Sequence, residues 1–264
     1  MRPFAMVLLG LGLGLALAAQ NTVTAVRATR PPAIDGMLAE GEWAGAARLR
    51  NFVQFEPQRG QPATQPTVAF LLYDDTHLYF AVQAFDDRPE QITARLTQRD
   101  AATSQDDSIT IFLDTFHDRR TCYFFSTTPL GTQTDGLVQD NGRVNDTTWD
   151  AAWAVAARKT SDGWLAEFAI PLRAMLFRAG QDRTWGLNIV RTRRSNLETS
   201  LWAGPAESIY RVSQFGELRG LELEGGARPF QFIPYTLGRF EQGRPGLRPP
   251  LHLPPRNHRQ SQKV

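Results

Sequence analysis

Residues 106–136 contain two apolar runs separated by a polar turn, and this arrangement predicts an antiparallel β-hairpin. The runs are Ser108–Asp114 and Cys122–Thr127, both rich in Ile, Phe, Thr or Tyr, and residues 117–120 between them read His-Asp-Arg-Arg. Aromatic and β-branched residues fit the pleated surface of a sheet. In the first run Ile, Ile and Leu alternate with Ser, Thr, Phe and Asp, so one face is fully apolar and the other is mixed.

Similar strand patterns recur along the chain, and no segment has the pattern of a long amphipathic helix. Two more hairpins are predicted, one from residues 68–73 and 78–85, the other from residues 153–158 and 164–170. Single strands are predicted at residues 22–29, 51–55, 185–193 and 215–223. Short strands joined by short turns favour antiparallel pairing. The predicted fold class is therefore all-β, as an antiparallel two-sheet β-sandwich.

Four segments are predicted to lie outside the strands. Residues 131–150 are rich in Gly, Asp, Asn and Thr and predict a long loop, and residues 91–100 predict a polar loop. Residues 40–47 predict one helical turn that lays a tryptophan on the sandwich. Residues 171–177 predict a short helix with proline in its first turn.

The first 19 residues predict a secretory signal peptide. Arg2 gives the positive start, residues 6–17 form the apolar run, and residues 16–18 supply small side chains for cleavage. A membrane anchor is the alternative, but the run is shorter than the ~20 residues that a spanning helix needs. The sequence therefore predicts an exported protein that is periplasmic, outer-membrane-associated or extracellular.

The charge distribution separates a nearly neutral body from a basic end. The chain carries 29 Lys and Arg against 27 Asp and Glu, and much of the basic excess follows residue 238. The body has no basic patch with interleaved aromatic residues, so nucleic acid is excluded as a partner. Residues 20–224 are predicted to form the sandwich, residues 225–240 contain one further strand, and residues 241–264 are predicted to be disordered.

Residue types with catalytic potential give no enzyme signature. The chain contains no HExxH, GxSxG or P-loop pattern, and His77 and His117 fall in predicted turns. The single cysteine, Cys122, cannot form an internal disulfide and is interpreted as a small buried residue. The sequence therefore predicts that the protein is not an enzyme.

A series of short motifs in a fixed order resembles carbohydrate-binding module family 9 over residues 22–223. The motifs are Ile34-Asp35-Gly36, Trp43, the hairpin at 73–80, residues 107–114, Asp162-Gly163-Trp164 with Glu167 and Ile170-Pro171, and Phe215-Gly216. The resemblance implies a jelly-roll or immunoglobulin-like sandwich. It also implies a non-catalytic accessory module of the kind that serves xylanases and grips the reducing end of glucan or xylan chains.

The same resemblance implies where a sugar would bind. In the family two tryptophans hold the sugar, one just before a Gln-Asp-Ser block and one a few residues before Phe-Gly. This chain has residues 104–108, Ser-Gln-Asp-Asp-Ser, at the first place and Ile209-Tyr210 at the second, so neither position holds Trp. An arginine expected on the second central strand is replaced within residues 123–126.

Candidate ligand residues follow from the chemistry of sugar recognition, which needs flat aromatic faces and polar groups that bond hydroxyls. Trp149, Trp202 and Tyr210 lie in segments without a strand pattern and are the aromatic candidates, and Asp107 is the polar one. Packing in the core or in loops is the alternative for the three aromatic residues. The tryptophans at 43, 153, 164 and 185 fall in regular elements and are assigned to the core.

Acidic residues at strand ends are the candidate ligands of a structural calcium ion, which the resemblance also implies. Calcium takes six to eight oxygen ligands. Asp86, Asp87, Asp106 and Asp107 follow or precede predicted strands and would converge if the second and the central hairpins are neighbours. Turn formation and solvation are the alternative roles for these acids.

A second part of the resemblance concerns the context of the domain. Residues 149–153 and 163–167 resemble a subset of the family in which the module precedes an outer-membrane β-barrel, and residues 228–240 are similar to the first strand of such a barrel. Two functions follow as hypotheses. One is a secreted domain that binds xylan or glucan, and the other is a periplasmic interaction or plug domain of a barrel that has lost sugar binding. A haem-binding module is a third hypothesis and would need an axial ligand, for which Met37 and Met175 are the only methionines outside the signal segment.

Overall fold

The computed structural model describes residues 21–178 and 180–224. The predicted signal peptide at 1–19, the further strand within 225–240 and the tail at 241–264 lie outside the described residues. Within the described part of the chain, none of the helices combines the length and the apolar character needed to cross a membrane.

The described residues form fourteen strands with short 3-10 turns between some of them. The strands are β1 (Thr22–Thr24), β2 (Ala47–Leu49), β3 (Val53–Glu56), β4 (Thr67–Tyr73), β5 (His77–Phe85), β6 (Ser108–Asp114), β7 (Cys122–Thr127), β8 (Gln133–Gln139), β9 (Val144–Asp146), β10 (Ala154–Thr160), β11 (Gly163–Pro171), β12 (Gly180–Arg193), β13 (Glu198–Leu201) and β14 (Gly216–Leu223). The 3-10 turns are Pro89–Gln91, Thr103–Gln105, Asp140–Gly142, Leu172–Ala174 and Val212–Gln214.

These strands make two sheets, which confirms the predicted sandwich. The larger sheet runs in the order β1-β14-β12-β6-β7-β8-β9, with β13 pairing both β12 and β3. The smaller sheet runs β10-β11-β5-β4-β2. Among the described strands the pairs are antiparallel except for β1 and β14, which run parallel at the edge of the larger sheet.

The central hairpin lies where its alternation predicts, and β6 and β7 have the predicted bounds. Its turn is fixed by the carboxylate of Asp114, which accepts the backbone N–H groups of Asp118 at 3.2 Å and Arg119 at 2.8 Å. His117 and Arg119 have φ angles of 51° and 59°, a left-handed backbone that non-glycine residues seldom adopt. A turn that brings two such residues into the left-handed region needs these side-chain bonds to hold it.

Alternation along β6 divides the apolar residues between two cores. Ile109, Ile111 and Leu113 are fully buried between the sheets, against Phe80 and Phe168 of the smaller sheet. The opposite face of the larger sheet carries a second cluster. Its buried members are Phe112, Cys122, Phe124, Val138, Val190, Leu201, Ala206, Val212 and Phe215. The segment after β13 covers this second face, so the larger sheet is packed on both sides.

Three predictions about local structure need correction. Residues 131–150 are not one long loop, because β8 and β9 extend the larger sheet there, and Val138 of β8 is fully buried. Strands β2 and β13 were not predicted, since three or four residues are too few to show an alternation. The predicted helix at 171–177 is only the 3-10 turn Leu172–Ala174.

A buried carboxylate ties the segment around Trp43 to the outer face of the smaller sheet. Glu167 of β11 is fully buried and accepts the backbone N–H groups of Asp35 at 3.1 Å and Gly36 at 2.8 Å. Its other oxygen accepts the indole N–H of Trp43 at 3.1 Å. Burial raises the pKa of Glu167, and the three donors partly counter that rise.

Replacing Glu167 with alanine should therefore destabilise the fold strongly. The three donors would lose their acceptor, and each buried unsatisfied group costs about 1–3 kcal/mol, so we expect a loss of about 3 kcal/mol or more in the free energy of unfolding. Urea denaturation of the full chain measures this loss. Glu40→Ala, at an exposed turn position, is the control and should change stability by less than ~0.5 kcal/mol. Equal midpoints for the two variants would contradict the role of Glu167.

Candidate functional site

Two loops pack at neighbouring positions on the outer face of the larger sheet, and the strip of surface between them is called the groove below. The floor is formed by side chains that alternate away from the inter-sheet core: Thr110 and Phe112 on β6 lie opposite Ser126 and Phe124 on β7. Thr110 is partly exposed, whereas Ser126 is buried. Phe112 and Phe124 are also buried, so among these four side chains the hydroxyl of Thr110 is the group that reaches the surface.

The first wall of the groove is the segment 101–105. Asp100 donates its backbone N–H to the carbonyl oxygen of Gln133 at 2.9 Å, and this bond fixes the start of the segment beside β8. Thr103 then reaches Ser126, with 2.9 Å between the two hydroxyl oxygens, and Ser126 is in turn 2.9 Å from the hydroxyl of Thr110. Three hydroxyl groups thus form one chain across the floor.

The second wall is Tyr210. Its ring packs edge-on against Phe112, with centroids 5.8 Å apart and an interplanar angle of 83°. Its hydroxyl is hydrogen-bonded to the side chain of Asn145 from β9, and its backbone N–H is donated to Ser208 Oγ at 3.2 Å. Burial raises the pKa of Tyr210, so the phenol is neutral at physiological pH.

The separation of the walls is set by the strand beneath them. Thr103 bonds to Ser126, which in turn bonds to Thr110 of β6. Tyr210 packs against Phe112, which lies two residues further along β6 on the same face. Residues two apart on a strand are separated by about 7 Å. The groove therefore combines one partly exposed aromatic ring with hydroxyl donors and acceptors, which is the chemistry that suits a polyhydroxylated ligand.

Of the four predicted ligand residues, only Tyr210 lies at this groove. Trp149 packs against Tyr123 and Phe125, at centroid distances of 4.9 Å and 6.0 Å, on the inter-sheet side of the larger sheet. Trp202 is a core residue with 5% of its surface exposed. Asp107 is fully buried. The structure therefore does not bring the four together, and the side chains of Trp202 and Asp107 cannot contact a ligand at the surface.

Long-range packing explains these two placements. The ring of Trp202 lies so close to Gly216 that a Cβ atom there would be 2.6 Å from it, which shows how tightly β14 covers the indole. Asp107 accepts the backbone N–H groups of Thr93 at 3.3 Å and Arg194 at 3.1 Å. Burial raises the pKa of Asp107, and the two N–H groups partly offset that effect.

The strand-end acids converge in part, but arginines meet them. Arg193 of β12 donates Nε and Nη2 to the two oxygens of Asp86, both at 2.7 Å, and Nη2 also to Asp87 at 2.8 Å. Arg191 lies 3.8 Å from Asp86 and donates to the carbonyl oxygens of Pro66 at 3.0 Å and Phe85 at 2.6 Å. Neither arginine was predicted from the sequence to belong to this group. The sequence does contain an indication, because two charged residues stand two positions apart on a strand face that is otherwise apolar.

The electrostatic state of this group follows from its burial. Burial is the largest single effect and alone would raise the pKa of Asp86, but the hydrogen bonds from Arg193 and Arg88 and the charges of Arg193 and Arg191 together hold it below its usual value. Burial lowers the pKa of Arg191 to about 10, so its guanidinium stays charged at neutral pH. The group therefore contains buried, mutually neutralising charges that link β12 of the larger sheet to the ends of β4 and β5.

The predicted calcium ligands do not fit a calcium site in this arrangement. Both oxygens of Asp86 are occupied by Arg193, and one oxygen of Asp106 accepts the backbone N–H groups of Arg95 at 2.6 Å and Leu96 at 2.7 Å. Over residues 21–178 and 180–224 no three His, Cys, Asp or Glu side chains are grouped so that they could hold a metal ion. The calcium binding predicted from the sequence is therefore a question that a solution measurement decides.

Comparison with known proteins identifies the family. Residues 34–203 match the family described as carbohydrate family 9 binding domain-like, and this match covers most of the chain. The chain therefore belongs to that family, as its sequence motifs predict. No curated protein sequence matches the chain.

Solved structures show the same fold. A family 9 carbohydrate-binding module from Caldicellulosiruptor kristjanssonii, in complex with cellotriose, is 17% identical; the match covers 82% of this chain and 100% of that chain, with a TM-score of 0.55. The same module type in complex with glucose is 16% identical over 80% and 99%, with a TM-score of 0.56. A candidate carbohydrate-binding protein from Bacteroides uniformis is 12% identical over 77% and 98%, with a TM-score of 0.60. At these identities the likeness shows the fold alone.

Arg193→Met should lower the free energy of unfolding by about 3 kcal/mol at pH 7, because Asp86 would remain buried without its partner. The lowered pKa of Asp86 stabilises the wild type above about pH 4, and this contribution is lost as the pH falls through the folded-state pKa. The difference between variant and wild type should therefore narrow in acid. Urea denaturation at pH 7 and pH 3.5 measures it. Arg219→Met, which removes an exposed pair, is the control and should cost less than ~1 kcal/mol. If Arg219→Met lost as much stability as Arg193→Met, the role assigned to the Arg193–Asp86 pair would be contradicted.

Millimolar calcium should leave the melting temperature of the full chain unchanged relative to chelator at matched ionic strength. The reason is that arginine or backbone donors already bond to at least one oxygen of each carboxylate that the sequence predicts to bind the ion. Differential scanning fluorimetry measures this comparison. A calcium-dependent rise that Asp107→Ala abolishes would support the calcium site predicted from the sequence instead, since ligand binding to the folded state alone raises stability by mass action.

Proposed function

We propose that this protein is a non-catalytic carbohydrate-binding domain whose ligand lies in the groove between segment 101–105 and Tyr210. One observation carries the proposal. The two segments that family resemblance implies on either side of a sugar, around 104 and 209–210, meet on one face of the larger sheet, over Thr110 and Phe112. They are more than a hundred residues apart in the sequence, so only the fold brings them together.

The groove offers a sugar two kinds of contact. The partly exposed ring of Tyr210 can pack against the apolar C–H face of a pyranose, and Thr110 can exchange hydrogen bonds with its hydroxyl groups. The tyrosine ring is already held by Phe112 and Asn145, so little of its freedom is lost when a ligand binds. These side chains are uncharged, and this favours a neutral oligosaccharide.

The ligand class we propose is a β-linked glucan or xylan segment, and the biological role is accessory to polysaccharide breakdown by an exported protein. The complexes of family members with cellotriose and with glucose support the glucan part of this proposal. The signal-peptide pattern of residues 1–19 supports export.

A second candidate function is a periplasmic interaction or plug domain of an outer-membrane β-barrel that has lost sugar binding. The observation that favours it is the composition of the first wall. That wall carries Thr103, which is buried and bonded to Ser126, close to the place where the family resemblance implies a tryptophan ring, so the groove is aromatic on one side. A domain with one aromatic wall binds sugar more weakly than one with two.

Titration calorimetry of the full chain with cellotriose and xylotriose tests the first proposal. We expect binding that Tyr210→Ala weakens about tenfold, since an aromatic contact contributes about 0.5–1.5 kcal/mol and each 1.4 kcal/mol is tenfold. Tyr210→Phe keeps the ring and should retain most of the affinity. Trp149→Phe is the matched control on the other side of the sheet and should bind as the wild type does. Absence of binding to either sugar, with a normal melting curve, would favour the second candidate.

A further inference from the structure

The connection between β8 and β9 has an unusual backbone. Asp140, Asn141 and Gly142 have φ angles of 48°, 56° and 95°, so three consecutive residues lie in the left-handed region. Side chains other than Asn and Asp seldom occupy this region. The sharp bend brings this connection against the 3-10 turn Val212–Gln214, which follows Tyr210 in the chain.

A reciprocal pair of hydrogen bonds joins the two turns. Asn141 donates its amide N–H to Ser213 Oγ at 3.1 Å, and its amide oxygen accepts the backbone N–H of Ser213 at 2.9 Å. Asn141 is itself fixed by its backbone N–H, which is donated to the carbonyl oxygen of Arg120 at 2.8 Å. An amide side chain carries a donor and an acceptor on separate atoms, so Asn141 can make both bonds at once.

The same turn contacts Tyr210 at two further points. A Cβ atom on Gly142 would lie 2.6 Å from the carbonyl oxygen of Tyr210, so the two backbones are in direct contact. Asn145, three residues further along, is hydrogen-bonded to the hydroxyl of Tyr210. The backbone and the hydroxyl of the tyrosine are therefore both held by the β8–β9 connection and the start of β9.

We infer that Asn141 is a positioning residue for the groove: its bonds to Ser213 fix the turn that presents the ring of Tyr210 to a ligand. This inference depends on the proposed function. The clasp, meaning the Asn141–Ser213 bond pair, lies outside the ladders of both sheets, and both residues are partly exposed. Its loss therefore leaves the strand pairing intact and frees the tyrosine turn. A ring that must be ordered on binding gives a lower affinity than one already in place.

The test compares affinity with stability in three variants of the full chain. Asn141→Ala should weaken cellotriose binding about fivefold, since ordering a side chain at a binding site costs about 0.5–1.5 kcal/mol. Asn141→Asp keeps the acceptor for the Ser213 N–H, so its affinity for cellotriose should stay within about twofold of the wild-type affinity. Asn196→Ala is the matched control, since that amide bonds to Thr64 and Glu198 in a different loop.

A spectroscopic readout separates positioning from general stability. With ring-labelled tyrosine, the NMR signal of Tyr210, assigned through Tyr210→Phe, should shift or broaden in Asn141→Ala and return towards the wild-type position in Asn141→Asp. An unchanged Tyr210 signal and unchanged affinity in Asn141→Ala would overturn the inference, as would an equal loss of affinity in Asn196→Ala. If the wild type binds no cellotriose, the proposed function fails, and the Tyr210 signal alone then decides whether the clasp fixes the ring.

Discussion

The guanidinium groups of Arg191 and Arg193 lie between the two sheets and neutralise the buried carboxylate of Asp86. Charges at this depth are tolerated only when they are paired and hydrogen-bonded. That requirement fixes β12 against the ends of β4 and β5, because a shift by one residue would turn the arginines to the outer face. On that outer face the same register places Val190 beside Thr110, so the charge pairing inside the sandwich also determines the surface on which the groove is built.

The groove depends on the second core as well as on the sheet. The segment after β13 covers Phe112, Phe124 and Val190, and Tyr210 is the partly exposed edge of that covering layer. A binding surface made in this way is as rigid as the packing beneath it.

Local alternation was sufficient to predict the central hairpin, since Ser108–Asp114 and Cys122–Thr127 each repeat with the period of a strand. It failed for β8, where glycine and aspartate suggested a loop although Val138 is buried by contacts from distant segments. The same limit applies to the site. Tyr210 was found through its place before Phe215-Gly216, whereas the burial of Trp202 is decided by β14, which no local pattern reveals.

The hydroxyl chain from Thr103 through Ser126 to Thr110 has no fixed polarity, because either oxygen of each pair can act as the donor. Rotating the three O–H bonds together reverses the chain, and Thr110 then changes from offering a proton to offering a lone pair. Thr110 can therefore either donate a hydrogen bond to a sugar hydroxyl or accept one from it. Discrimination between one neutral sugar and another would then come from the shape of the groove beside Tyr210, with the polar floor serving as an adaptable lining.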